Sequence, residues 1–311
     1  MPVHAEVQAF LQMLAAANLP PYEHSTVAQA RERMNAIAML ERPASPLAEV
    51  RDLCIPAPHG DIPLRLYRSS LDQALPTLIY FHGGGWVVGS IESHDRLCRA
   101  LASASGFAVI SVEYRLAPEH KYPAAVEDAE AAYRYVRAFA DKLGVDSESI
   151  FLGGDSAGGN LSAVVSQRAR DAGEPLPRGQ VLIYPATGSA AVTESRKEFA
   201  DGYLLTAGAM MWFTAHYISD LAQLRESSLS PCFAKDVSGL PPTLLLTAEF
   251  DPLRDEGEAY AAKLTNAGVN VTLRRYDGMI HGFLQLSAMV SAATTAIEDI
   301  ATWLKQTQRG T

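Results

Sequence analysis

Cysteine is scarce in this chain. The three present, Cys54, Cys98 and Cys232, are odd in number and far apart, and no C-x-x-C pair occurs. That argues against a disulfide framework and a zinc knuckle, and it makes a reducing, cytoplasmic setting the expectation. An excess of positive charge is also missing. Lys and Arg number 26 against 35 Asp and Glu, giving a net charge of −9 with no basic cluster. Nucleic acid and anionic membranes are therefore not expected as main partners. No apolar run approaches the roughly 20 residues of a membrane span. The apolar start of the chain lacks the positive flank of a signal peptide. Its Val7, Phe10, Leu11 and Leu14 fall at i, i+3, i+4 and i+7, which predicts an amphipathic helix instead. Internal repeats and low-complexity segments are absent too.

What is present reads as an α/β protein. Thr26 and Gln29 have capping-box spacing, which predicts a second helix running to about Glu41. Val50 to Ser69 reads as two strands joined by a Pro-His-Gly-Asp turn, an antiparallel edge. From Pro76 onward short apolar runs ("TLIYF", "AVISVEY", "SIFLGG", "QVLIYP", "TLLLTAE", "NVTLRRY") alternate with helical stretches. In "PAAVEDAEAAYRYVRAFA" the residues Val126, Ala129, Tyr133 and Val136 share one face, with Glu127, Asp128 and Glu130 outside it. Near-continuous apolar strands with helical crossovers imply a mostly parallel sheet covered on both faces. One interval is long for a crossover and rich in aromatics and Met, so an insertion at about 188–226 is expected to join N-terminal helices (1–49) in a small cap. That cap would sit over a catalytic domain spanning 50–311.

The sharpest chemical signal is Gly154-Asp155-Ser156-Ala157-Gly158, a G-x-S-x-G at a strand-to-helix junction. That setting exposes a serine hydroxyl on a tight turn and aims the following helix N-terminus at a developing negative charge. Serine needs a base. Of eight histidines, His281 in "YDGMIHGF" best occupies a loop at the C-terminal end of a strand, where it reaches the same end of the sheet. The base in turn needs an acid. Asp251, placed in a loop by Pro252, is the first candidate and Glu249 the second. Asp155 beside the serine is expected to shape the turn by hydrogen-bonding neighbouring backbone.

The loop "HGGGWVVGS" (82–90) is glycine-rich after a strand, as phosphate loops are. Ser90 stands where a P-loop requires Lys, and Val88 where a dinucleotide fingerprint requires Gly, so both phosphate readings fail. The remaining reading is an oxyanion hole, with Gly83 and Gly84 donating alongside Ala157. Trp86, Tyr184, Tyr203, Met210, Met211, Trp212 and Phe213 are divided evenly between acyl pocket and plain core.

Five motifs then appear in order: His82-Gly83-Gly84-Gly85-Trp86, "EYRLAPEHKYPAAVED", "GDSAGGNL", "DPLRDEG" and "HGF". This set closely resembles the bacterial hormone-sensitive-lipase-like (family IV) esterases, a branch of the α/β-hydrolase superfamily. The resemblance implies an eight-stranded sheet, a helical cap and cofactor-free, metal-independent hydrolysis of short- to medium-chain carboxylic esters. It carries over Ser156, Asp251 and His281 as the triad and Gly83, Gly84 and Ala157 as oxyanion donors. It also implies, for many relatives, a homodimer formed through the edge of the last strand. Two alternatives stand beside it. One is acetyl-sugar or amide hydrolysis by the same triad. The other is a binding module like the plant gibberellin receptors, which lack the catalytic histidine present here as His281.

Overall fold

The computed structural model describes residues 2–57, 59–71 and 73–310. Eight strands make one sheet: β1 (Glu49–Ile55), β2 (Ile62–Arg68), β3 (Leu75–Phe81), β4 (Ala108–Val112), β5 (Val145–Asp155), β6 (Gly179–Ile183), β7 (Thr243–Phe250) and β8 (Val271–Ile280). Their order is β1-β2-β4-β3-β5-β6-β7-β8. β2 runs antiparallel to both β1 and β4, and every later pairing is parallel. The expected antiparallel hairpin is therefore the sheet's edge. Pro58 of its turn lies outside the described residues.

Burial on both faces explains the apolar strands. Along β3, Ile79 and Phe81 pack into one core and Leu78 and Tyr80 into the other. The first core is closed by helices Ala124–Ala138 and Ala157–Asp171, the second by Asp95–Ser105 and Ser291–Arg309. Each fully buried aliphatic side chain contributes roughly 1.5–3 kcal/mol. Helix Ala124–Ala138 buries Val126, Ala129, Tyr133 and Val136 as its periodicity predicts. Asp128 and Glu130, expected on the outer side, are buried as well. Each has an arginine: Arg115 binds Asp128 at 2.8–3.0 Å, and Arg168 reaches Glu130 at 2.6 Å. Periodicity counts apolar residues and does not register such partners.

The N-terminal elements are helices Ala5–Ala16 and Val27–Ile37, the latter with both capping-box bonds between Thr26 and Gln29. Val7 and Phe10 are the buried residues of the first helix. The interval after β6 holds helices Glu194–Glu198 and Ala207–Tyr217. Tyr22 meets Phe213 and Trp212 of that interval, with ring centroids 5.0 and 5.9 Å apart. Among the described residues no helix is long and apolar enough to cross a membrane.

Candidate active site

β5 ends at Asp155, and the chain turns at once into helix Ala157–Asp171. At the turn Ser156 has φ +54°, a conformation that costs a non-glycine residue of order 1–3 kcal/mol. The flanking glycines have a steric cause. A Cβ on either Gly154 or Gly158 would overlap the Phe81 carbonyl of β3. The Ser156 N–H donates to Ile183 O at 2.8 Å and fixes the turn against β6.

β8 ends at Ile280, one residue before His281, and Asp251 follows directly on β7. These strand ends bring three side chains from distant sequence into line. His281 Nε2 lies 3.0 Å from Ser156 Oγ, and its Nδ1 lies 2.7 Å from Asp251 Oδ2. Asp251 is fully buried, and its Oδ1 accepts the Leu253 N–H at 2.8 Å. Glu249 instead accepts the Gly278 N–H at 2.7 Å, and Asp255 accepts the Ser195 N–H at 2.8 Å from the next helix. The ring of Tyr184 packs 4.8 Å from that of His281. His82, another of the eight histidines, is buried under the glycine loop, where desolvation pulls its pKa down to about 3.

The glycine loop requires one correction. The Gly83 N–H donates to Asp155 Oδ1 at 2.9 Å, so it is already occupied and is not an oxyanion donor. Gly84 and Gly85 line the cleft with Ser156, Ala157 and His281. The N–H groups of Gly84, Gly85 and Ala157 donate to no acceptor among the described residues. The three consecutive glycines have separate reasons. A Cβ on Gly83 would overlap the Asp155 carboxylate. Gly84, at φ +121°, bends back so that its carbonyl accepts from Val87 and Val88 at 3.1 and 3.0 Å. Gly85, at φ +58°, leaves no room for a Cβ beneath the Phe213 ring. Sequence spacing reveals three glycines but not which amide a buried carboxylate consumes.

Asp155 shapes the turn as expected, through a wider network than the sequence suggests. Its Oδ1 also accepts from Tyr80 OH at 2.8 Å and lies 3.3 Å from His94 Nε2. Burial alone would raise the Asp155 pKa, but the facing His94 holds it below the usual range. Burial alone would lower His94, yet Asp155 holds it above its ordinary value. His94 opens a helix in sequence and gives no local hint of this pairing.

The cleft over Ser156 is mainly apolar. Of the residues divided between pocket and core, Trp86, Met210 and Phe213 line it. Tyr184 is buried, Tyr203 stacks on Phe250, Met211 is 68% exposed and Trp212 packs on Tyr22 and His216. Tyr22, Met34 and Ile37 reach the cleft from the N-terminal elements.

Residues 78–285 match a family model described as the alpha/beta hydrolase fold. The chain is similar to the carboxylic ester hydrolase LipN of Mycobacterium tuberculosis, 45% identical over 83% of this chain and 70% of LipN. Among solved structures it resembles an ester hydrolase from the metagenome of Lake Arreo, in complex with a bipyridine phosphonate derivative. That similarity is 42% identity and a TM-score of 0.95 over 97% of this chain and 98% of the other. It also resembles a hyperthermophilic esterase from Pyrobaculum calidifontis, at 44% identity and a TM-score of 0.94 over 98% and 99% of the two chains. The chain belongs to the α/β-hydrolase family, in its hormone-sensitive-lipase-like branch of esterases.

Proposed function

We propose that this serine carboxylesterase works through an acyl-enzyme on Ser156. The carrying observation is the hydrogen-bonded chain from Asp251 through His281 to Ser156, at 2.7 and 3.0 Å. His281 Nε2 takes the Ser156 proton as Oγ attacks the ester carbonyl, and Asp251 stabilises the imidazolium. The carbonyl oxygen becomes an oxyanion that accepts from the Gly84, Gly85 and Ala157 amides. Each such donor supplies roughly 2.7–4 kcal/mol of transition-state stabilisation. His281 returns the proton to the leaving alcohol, and water then repeats the sequence on the acyl-enzyme.

Residues 1–49 and about 188–226 act as a cap over the catalytic domain 50–311, an arrangement supported by the Tyr22 contacts to Trp212 and Phe213. Short- to medium-chain acyl groups suit a cleft lined in part by Met210 and Phe213. β8 is the outer strand of the sheet, and its outer edge is where a second copy would add to form a homodimer. Ser156→Ala, assayed on 4-nitrophenyl acetate and on longer acyl esters, is the direct test. Loss of nearly all turnover is expected, with wild-type rates falling steeply beyond medium chains. Unchanged turnover would refute the nucleophile.

A further inference from the structure

Next to the compartment around Ser156 lies a second one at the insertion, lined by apolar residues such as Met211, Ile218, Leu221 and Leu224 and by one carboxylate, Asp220. Ser189, Arg196, Met210 and Thr214 line both compartments. Among the described residues, Arg196 is the only arginine or lysine lining either one. A partly buried guanidinium is expensive unless it is held, and this one is held. Its Nε and Nη2 donate to Glu256 Oε2 at 2.9 and 2.6 Å, and Nη2 also reaches Gly188 O at 3.4 Å.

The pairing leaves the guanidinium incompletely used. Glu256 is buried, and its other oxygen takes the Thr187 and Gly188 N–H groups at 2.8 and 3.0 Å. Its negative charge is therefore shared among two backbone donors and the arginine. One edge of the guanidinium faces Glu256, while Nη1 donates to no acceptor among the described residues. The Arg196 side chain keeps 21% exposure. A fork fixed along one edge is pre-organised to bind a second carboxylate end-on.

Resting on the esterase reading of Ser156, we propose that Arg196 is a specificity-determining residue that binds a carboxylate carried by the substrate. Esters with a free carboxylate a few bonds from the scissile carbonyl, such as half-esters of dicarboxylic acids, form the favoured class. The carboxylate belongs to either the acyl or the alcohol side, and the test separates these. On the acyl side, 4-nitrophenyl hemiglutarate is compared with 4-nitrophenyl butyrate. On the alcohol side, 3-acetoxypropanoate is compared with propyl acetate.

The readout is the ratio of kcat/KM for the charged ester to that for its neutral partner. Arg196→Gln is expected to lower this ratio about tenfold on one arm, mainly through KM, with Arg196→Lys retaining part of it. Ratios that stay within a factor of about two of wild type on both arms would overturn the proposal. Should Arg196→Gln fail to fold, Arg196→Lys and the wild-type salt response decide. Rising salt should raise KM for the charged ester and spare the neutral one, and equal responses would overturn the assignment. Wild-type turnover of the neutral esters reports separately on the Ser156 reading, so the two failures are distinguishable.

Discussion

Replacing Asp251 by Asn exchanges one atom and reverses one hydrogen bond. Asp251 Oδ1 is committed to the Leu253 N–H at 2.8 Å, so the Asn oxygen keeps that partner. The amide nitrogen then falls where Oδ2 now meets His281 Nδ1 at 2.7 Å. An NH2 group there can only donate, which leaves the lone pair on Nδ1 and the proton on Nε2. That proton faces Ser156 Oγ at 3.0 Å, so the ring cannot accept the serine's own. The expected loss is about 10⁴-fold in kcat, by analogy with the same exchange in a serine protease. It corresponds to about 5.5 kcal/mol of transition-state stabilisation. KM should change little, because Asp251 is fully buried and does not line the cleft. Initial rates on 4-nitrophenyl acetate measure both constants, and circular dichroism confirms that the variant is folded. Glu249→Gln is the contrast: the Glu249 carboxylate accepts the Gly278 N–H and makes no hydrogen bond to His281, so activity should stay within about twofold of wild type. Retention of more than about a tenth of wild-type kcat by Asp251→Asn would refute the assignment, as would an equal loss from Glu249→Gln.

Two further outcomes follow from the groups behind the site. Asp155→Asn removes the charge facing buried His94 while keeping an oxygen for the Gly83 N–H. It should cost about 3–5 kcal/mol in chemical denaturation and lower kcat more than KM; an unchanged denaturation midpoint would contradict the buried pair. Glu41 is buried with no partner for its Oε1 among the described residues, and desolvation pushes its pKa up to about 8 from the ordinary 4.5. Folding then holds that proton more tightly than the unfolded chain does. The stability linked to it is complete below pH 4.5 and is lost as pH rises towards about 8. Thermal melts of Glu41→Gln and wild type should therefore diverge across that window, with the variant more stable at the alkaline end. A gap independent of pH would argue against a buried, protonated Glu41.

Much of the fold and half of the chemistry can be read from local pattern. Apolar runs that alternate with helical periods determine a two-faced parallel sheet, because a strand buried on both sides has no polar face to show. The G-x-S-x-G junction, the Pro after Asp251 and the position of His281 after the last strand point to the three residues that the structure brings into hydrogen-bond contact and that we propose as the triad, since each depends on local backbone geometry next to a strand end. The glycine loop proposed to hold the oxyanion differs. Gly83, Gly84 and Gly85 are equivalent in sequence, and only the approach of Asp155 from β5 shows that the first amide is already occupied. The roles of His94, Glu41 and Arg196 are likewise absent from any local pattern. His94 meets Asp155 and Arg196 meets Glu256 from distant sequence, Glu41 is buried, and only the packing of the sheet, its helices and the insertion brings these about.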